Sequence, residues 1–497
     1  MRRPVFVAIL GSWMMMLALL VQRTWLPTTL EKEVSTQRES MLGGGEPTVG
    51  EQWMGVYFKD QKVGYTREAI SSDDGGLTFS EESLLRLTMM SAPQTVRTHV
   101  SGHAATTYAL RDVQFDLSSG VGNFSASGVV DGAQLRLTLR TGKETTEQTL
   151  PLSEPVFLPF TLRASLAGDT LRPGRQVVAM VFDPTTLKNE RMYVTVEGQE
   201  ALPQGNGVRA WRLREEFHGL QTTAWIDASG AVLREEGPMG FTLLRETPDQ
   251  AVRGGWGTDA AALDLVASAA VPVAQPIGDP RNRRALRLRV SGIALDGIPS
   301  DDEQRREGAV VTIVRPDLAS LQSYGLPDHD GHEDELAATA FLQSDHPRIR
   351  AQTRAILGDE HDAKRAAVLL NDWVYDHLRK VPTISIPNAL QVLDMGEGDC
   401  NEHATLLAAL GRAAGLPTRV AAGAVYLDGA FFYHAWCEVW LGRWVSIDPT
   451  FHQFPADATH IKFVTGGLDE QMAMLGIIGR LGIEVVADDA TGTARAG

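Results

Sequence analysis

Between residues 52 and 247 the chain keeps one texture: short alternations of apolar and polar side chains, divided by turn residues. Residues 134–140 read QLRLTLR; residues 56–58 run into Lys59 and Asp60; residues 222–226 run into the turn sequence DASG at 227–230. Successive side chains of a strand point to opposite faces, so a two-residue period predicts half-buried strands. Their recurrence at short intervals predicts an antiparallel β domain over residues 51–250. No catalytic motif falls in it, and its default role is that of a scaffold. Residues 251–334 form a mixed β connecting region with strands expected at 286–293 and 309–314. Arg281, Arg283, Arg284, Arg287 and Arg289 crowd the first of these. Alternation sets Arg287 and Arg289 on one face, which reads as a solvated face.

The period then changes. Residues 333–357 and 363–378 carry apolar side chains three and four apart, as helices do. Pro347 splits the first, and Ala366, Leu369, Leu370, Trp373, Val374 and His377 share one face of the second. A third helix starts at Cys400: Asp399 is an N-cap residue, and Glu402 stands where a capping box needs it. Gly415 and Pro417 stop that helix. Strands follow at 418–426, 430–440 and 444–448, joined by Asp428-Gly429, a hairpin signal, and by the three residues 441–443. The final residues, from about Asp488, are small and polar and are expected to fray.

Composition narrows the function. A chain of 497 residues with 43% apolar and 22% charged side chains is a folded protein of several domains. The formal net charge of −16 repels phosphate backbones, so nucleic acid is not an expected partner. Arg2 and Arg3 precede an apolar run over residues 5–21, broken only by Gly11 and Ser12. Residues 1–25 therefore read as a membrane anchor or export signal, with an uncleaved anchor favoured because no small-x-small cleavage site follows. Residues 26–50 read as a flexible linker. The expected placement is a single-pass protein of the inner cell membrane with its bulk extracytoplasmic, in the periplasm. Two cysteines, Cys400 and Cys437, are too few for a disulfide framework. Either they pair, or at least one is kept for reactivity. The run DHDGHEDE at 328–335 has its glycine in the wrong place for a calcium loop and reads as a hydrated loop. No zinc-type spacing and no phosphate-binding glycine loop occurs, so neither metal nor cofactor is expected.

Chemistry concentrates between residues 396 and 463. At a helix N-terminus Cys400 meets unpaired N–H groups and the positive end of the helix dipole, which favour a thiolate and can hold an oxyanion. On the strand 430–440, His434, Trp436, Glu438 and Trp440 share a face, and Cys437 lies on the other, as a packed thiol would. If residues 441–443 form a three-residue loop, Trp440 pairs with Trp444, His434 lies opposite Thr450, and Asp448 is its diagonal neighbour. Cys400, His434 and Asp448 are then nucleophile, base and orienting carboxylate. Gln391 and Trp373 are the conceivable second oxyanion donors, neither with compelling spacing, and His403 is read as structural.

Four blocks occur in order: Gly398-Asp399-Cys400-x-x-His403-Ala404, residues 412–419 (RAAGLPTR), His434-Ala435-Trp436 and Asp448-Pro449-Thr450. Together they resemble the transglutaminase-like superfamily, over about a quarter of the chain. The resemblance implies a papain-like α+β domain at residues 335–470, with a Cys-bearing helix packed on an antiparallel sheet that carries His and Asp. Residues 471–497 would be a C-terminal extension. It further implies Cys400 as nucleophile, His434 as general base and acid, and Asp448 as the orienting residue. The activity so implied is amide or peptide acyl transfer through a thioester, on a peptide or protein substrate. Hydrolysis is favoured over transamidation because no amine-recognition feature is visible. The competing expectation is a catalytically idle binding or assembly module of the cell envelope, with the β domain as the candidate docking surface for an envelope partner.

Overall fold

A computed structural model describes residues 49–486 of the chain, apart from 74, 121, 142–143, 168–170, 204–206, 254–263 and 329–330. The anchor expected at 1–25, nearly all of the linker after it and the frayed end from Asp488 lie outside the described residues. Among those described, no helix is long and apolar enough to cross a membrane.

From Gly50 to Glu246 the alternating segments pair into one sheet of fifteen strands. The first strand, Gly50–Phe58, pairs both with its successor Gln61–Asp73 and with the last strand, Phe241–Glu246. Two meanders therefore leave a common seam. One ends at Glu144–Pro151 and the other at Val156–Phe157. The two-residue period is visible directly: Gln134–Thr141 buries Leu135, Leu137 and Leu139 and leaves Arg136 and Arg140 in water. The short helix Pro159–Ala164 sends Phe160 and Leu162 into the same core, with Phe160 edge-on to Phe79 at 5.5 Å.

The rest of the described chain is α+β. Its main sheet centres on the strand Ala430–Trp440, flanked by Thr418–Leu427 and Trp444–Ile447, with Ile461–Thr465 beyond the former and Val271–Pro272 pairing with the central strand itself. The helix Cys400–Ala413 packs on this sheet, and Pro347–Leu357, Ala363–His377 and Ala389–Met395 surround it. A second sheet joins Gln304–Glu307, Val310–Val314, Ala285–Ser291 and Gly482–Val485. The connecting region and the C-terminal extension thus meet in one layer. Arg287 and Arg289 are exposed there, while Leu286, Leu288 and Val290 are buried.

Two expectations need correction. The helix expected across 333–357 survives only as Glu333–Leu336 and Pro347–Leu357. Pro347 starts the second helix at its first turn, where a missing N–H costs nothing, and His346 caps it. Phe341, whose spacing suggested helix, packs instead against Phe124 of the β domain at 6.2 Å. His377 does not join the buried helix face; it is exposed and stacks on Trp373 at 4.3 Å.

The segment between Lys380 and Asn388 joins the two units. Ile386 belongs to the β-domain core, and Ile384 packs against Val56, Phe58, Val63 and Leu87. Gln94 of the β domain donates to the Pro382 carbonyl at 3.1 Å.

Candidate active site

Asp399 opens the Cys400–Ala413 helix. Its carboxylate accepts the Asn401 N–H at 2.9 Å, and Glu402 reaches back to the Asp399 N–H at 2.9 Å, completing the capping box. Glu402 also accepts the hydroxyls of Thr383, at 3.0 Å, and Ser385. Cys400 is the first helical residue and is half-buried, so its own N–H has no carbonyl one turn back to bond. The N–H of Ala435 points at its sulfur. Ala435 directly follows His434, so Cys400 meets the central strand beside the histidine.

His434 donates through Nε2 to Asp448 Oδ2 at 2.8 Å; the two residues are 8% and 0% exposed. Phe451 stacks on the imidazole at 4.8 Å. Nδ1 remains as the nitrogen able to take a thiol proton. Trp440 pairs with Trp444, the register that a three-residue loop predicts, and the rings meet edge-on at 5.5 Å. The ladder, however, ends with Ile447 opposite Cys437. A tight turn, in which Asp448 and Gln453 exchange backbone hydrogen bonds at 2.9 Å, carries the carboxylate to His434, and Thr450 does not lie opposite the histidine. The other Asp448 oxygen accepts the N–H groups of Thr450 (2.6 Å) and Phe451 (3.0 Å).

The sequence reading missed His460. This residue, 4% exposed, donates through Nε2 to the same Oδ2 of Asp448 at 3.0 Å. Its Nδ1 faces Asp457, 3.1 Å from the carbonyl and 3.3 Å from Oδ1. Asp457 is held by Thr459, Gln453 and Arg281. Nothing in the sequence set His460 apart: a lone histidine before an apolar strand is usually a core residue with local partners.

Burial raises the Cys400 thiol well above its ordinary value, with the Asp399 charge adding to the effect and the Ala435 N–H working the other way. This reverses the sequence expectation of a thiolate favoured by the helix end: a terminal half-charge does not offset the desolvation of a full one. Burial also opposes the charge on Asp448, but His434 and His460 overcome it and hold the carboxyl well below the usual range. Burial alone would lower His460; its hydrogen bonds to Asp448 and Asp457, and their charges, raise it to about 9.

The other sequence candidates have separate places. Gln391 donates to the Asn123 carbonyl of the β domain at 3.4 Å, and Trp373 stacks on His377, so neither is shown at the sulfur. His403 is buried and donates through Nδ1 to the Asp399 carbonyl at 2.6 Å. Cys437 is a free, buried thiol that donates to the Ala404 carbonyl of the Cys400–Ala413 helix at 3.1 Å. In the 328–335 loop, of which 329–330 lie outside the described residues, His332 bonds Asp328 at 2.7 Å and packs on Trp440 at 4.4 Å.

Among the described residues, His434, Asp448 and His460 bring one ligand atom each within 4.8 Å of one another. Both ring nitrogens already lie at hydrogen-bond distance from one carboxylate oxygen. An ion about 2.1 Å from each donor would have to push these pairs apart. As placed, the three side chains are joined by hydrogen bonds at 2.8 and 3.0 Å.

Residues 350–449 match the Transglutaminase-like superfamily. No curated protein matches the chain. Among solved structures, a putative cysteine protease from Cytophaga hutchinsonii is 17% identical, covering 40% of this chain and 83% of its own, with a TM-score of 0.28. The periplasmic domain of TgpA from Pseudomonas aeruginosa is 21% identical over 36% of this chain and 72% of its own, at 0.22. A β-barrel-like protein of the domain of unknown function DUF1849 from Brucella abortus is 11% identical over 41% of this chain and 98% of its own, at 0.34. The family match, on the stretch that carries most of the four sequence blocks, gives the assignment: the chain carries a transglutaminase-like domain at residues 350–449.

Proposed function

We propose that this protein is an extracytoplasmic, cysteine-dependent acyl-transfer enzyme acting on a peptide or glutamine-type amide. The observation that carries the reading is the buried His434–Asp448 pair, 2.8 Å apart, on the strand whose next residue turns its N–H to the Cys400 sulfur. His434 takes the Cys400 proton, and the sulfur adds to the substrate carbonyl carbon. The Cys400 N–H, at a helix start, is the natural donor to the oxyanion. The carbon–nitrogen bond then breaks, the amine leaves with the proton from His434, and a thioester remains. Water, deprotonated by His434, adds to the thioester; collapse releases the acid and returns the thiol. An amine in place of water would give transamidation. Because burial raises the thiol, its proton leaves only as His434 becomes charged, and Asp448 supports that charge. The arginines before the apolar run at 5–21 support the extracytoplasmic placement.

The test is iodoacetamide alkylation of the full chain, read by mass spectrometry separately at Cys400 and Cys437. Cys400 is expected to react near neutral pH, and His434→Ala to slow it by about a hundredfold. Labelling that begins only above the ordinary thiol range of about 8.5, and ignores His434→Ala, would sink the enzyme reading in favour of the idle module.

A further inference from the structure

In the Cys-His-Asp relay one carboxylate serves one imidazole. Here two imidazoles take the same oxygen of Asp448, His434 at 2.8 Å and His460 at 3.0 Å, and the second of them is anchored at its far nitrogen by Asp457. Asp457 is in turn tied to Arg281 at 3.0 Å and to the side chain of Gln453 at 2.9 Å. None of His460, Asp457 or Arg281 falls within the residues that match the superfamily.

We propose that His460 is a positioning residue of this acyl-transfer site, clamping the shared oxygen of Asp448 and dividing its negative charge with His434. The proposal rests on the acyl-transfer reading of Cys400 and His434. Its physical content is electrostatic. The His434 and His460 ring centres are 5.9 Å apart, so a positive His460 opposes a positive His434 and takes up charge on Asp448 that would otherwise stabilise it. The clamp also fixes the carboxylate that orients the ring.

The groups around His460 leave it in that charged role. Asp448, Asp457 and the rings of His434, Trp436 and Phe451 face it directly. Glu303, Arg315 and Lys462 line the same small cavity. Glu303 accepts the Ser446 N–H, and Lys462 is bound to Asp301 and Glu438, so these groups have other partners. Two carboxylates on His460 hold it as an imidazolium to about pH 9 despite its burial.

The test uses the full chain and iodoacetamide rates at Cys400 from about pH 5 to about pH 10. His460→Gln, which keeps a donor but no charge, should shift the whole pH profile of the rate up by about one pH unit, the effect of one positive charge removed at roughly 6 Å in a partly hydrated interior. Asp457→Asn, which weakens the hold on His460, should shift it the same way by less. A profile left in place in a folded His460→Gln chain overturns the proposal and leaves the acyl-transfer reading standing. Rates that ignore His434→Ala remove both. Should the variants not fold, the wild-type chain carrying ¹³C-labelled histidine decides the matter by NMR, with His460 told apart from the buried His218 by its ring contacts to Trp436 and His434: a His460 imidazolium still present above about pH 7 supports the proposal, and a neutral His460 there overturns it.

Discussion

His460 ties stability to pH in a direction opposite to that of Asp448 and Asp457, the two carboxylates it bonds. Its pKa of about 9 lies above that of an unfolded histidine, about 6.5. Its contribution is therefore complete below about pH 6.5 and is lost as the pH rises through about 9. The linkage amounts to about 3 kcal/mol, to order of magnitude. Asp448 is depressed, so its contribution stands above the unfolded value of about 3.9 and fades as the solution turns more acidic. Urea unfolding at several pH values should show the wild-type chain weakening between about pH 7 and about pH 9, and His460→Gln abolishing most of that slope. A flat wild-type profile over that interval would contradict the assignment of the charge to His460. The same residue marks where sequence reading stopped. Cys400, His434 and Asp448 stand in blocks whose chemistry is local, each next to a cap, a strand or a turn signal. His460 acquires its role only when the turn after Ile447 folds back, and nothing near it in the chain announces that contact.

Among elements, those governed by local rules were legible. The capping box at Asp399 and Glu402, the hairpin at Asp428-Gly429 and the alternation of residues 134–140 each appear where the sequence puts them. Where tertiary contacts took over, the reading failed: residues 337–346 have helical spacing, yet Phe341 is claimed by Phe124 and Pro347 starts a new helix. One glycine shows how closely the elements of the site are fitted. Gly423 pairs with His434 in the ladder, and a side chain there would come within 1.9 Å of the Ile461 carbonyl. Gly423→Ala must push the strand Ile461–Thr465 away, and with it His460 at its start. The expected cost is about 2 kcal/mol in urea unfolding, together with slower alkylation of Cys400. An unchanged unfolding midpoint would mean that the two strands can separate freely.

At the level of the whole molecule, the β domain and the transglutaminase-like unit share a core through residues 380–388. Ile386→Ala leaves a cavity in the β domain and should cost about 3 kcal/mol. Calorimetry should show it lowering one common transition, with slower alkylation of Cys400 alongside. Two transitions, of which the mutation moves only the β-domain one, would refute the coupling. The route is short: Thr383 and Ser385 bond Glu402, which holds the N–H of Asp399 at the start of the Cys400–Ala413 helix, and the isoleucines beside them face into the other unit.

That alternation of hydroxyl and isoleucine from 383 to 386 has a consequence for anyone recombining the two units. Without the β domain, the transglutaminase-like unit would present both isoleucines to water. A chimera that gives it a different neighbour would need to rewrite positions 384 and 386 and leave the two hydroxyls as they are.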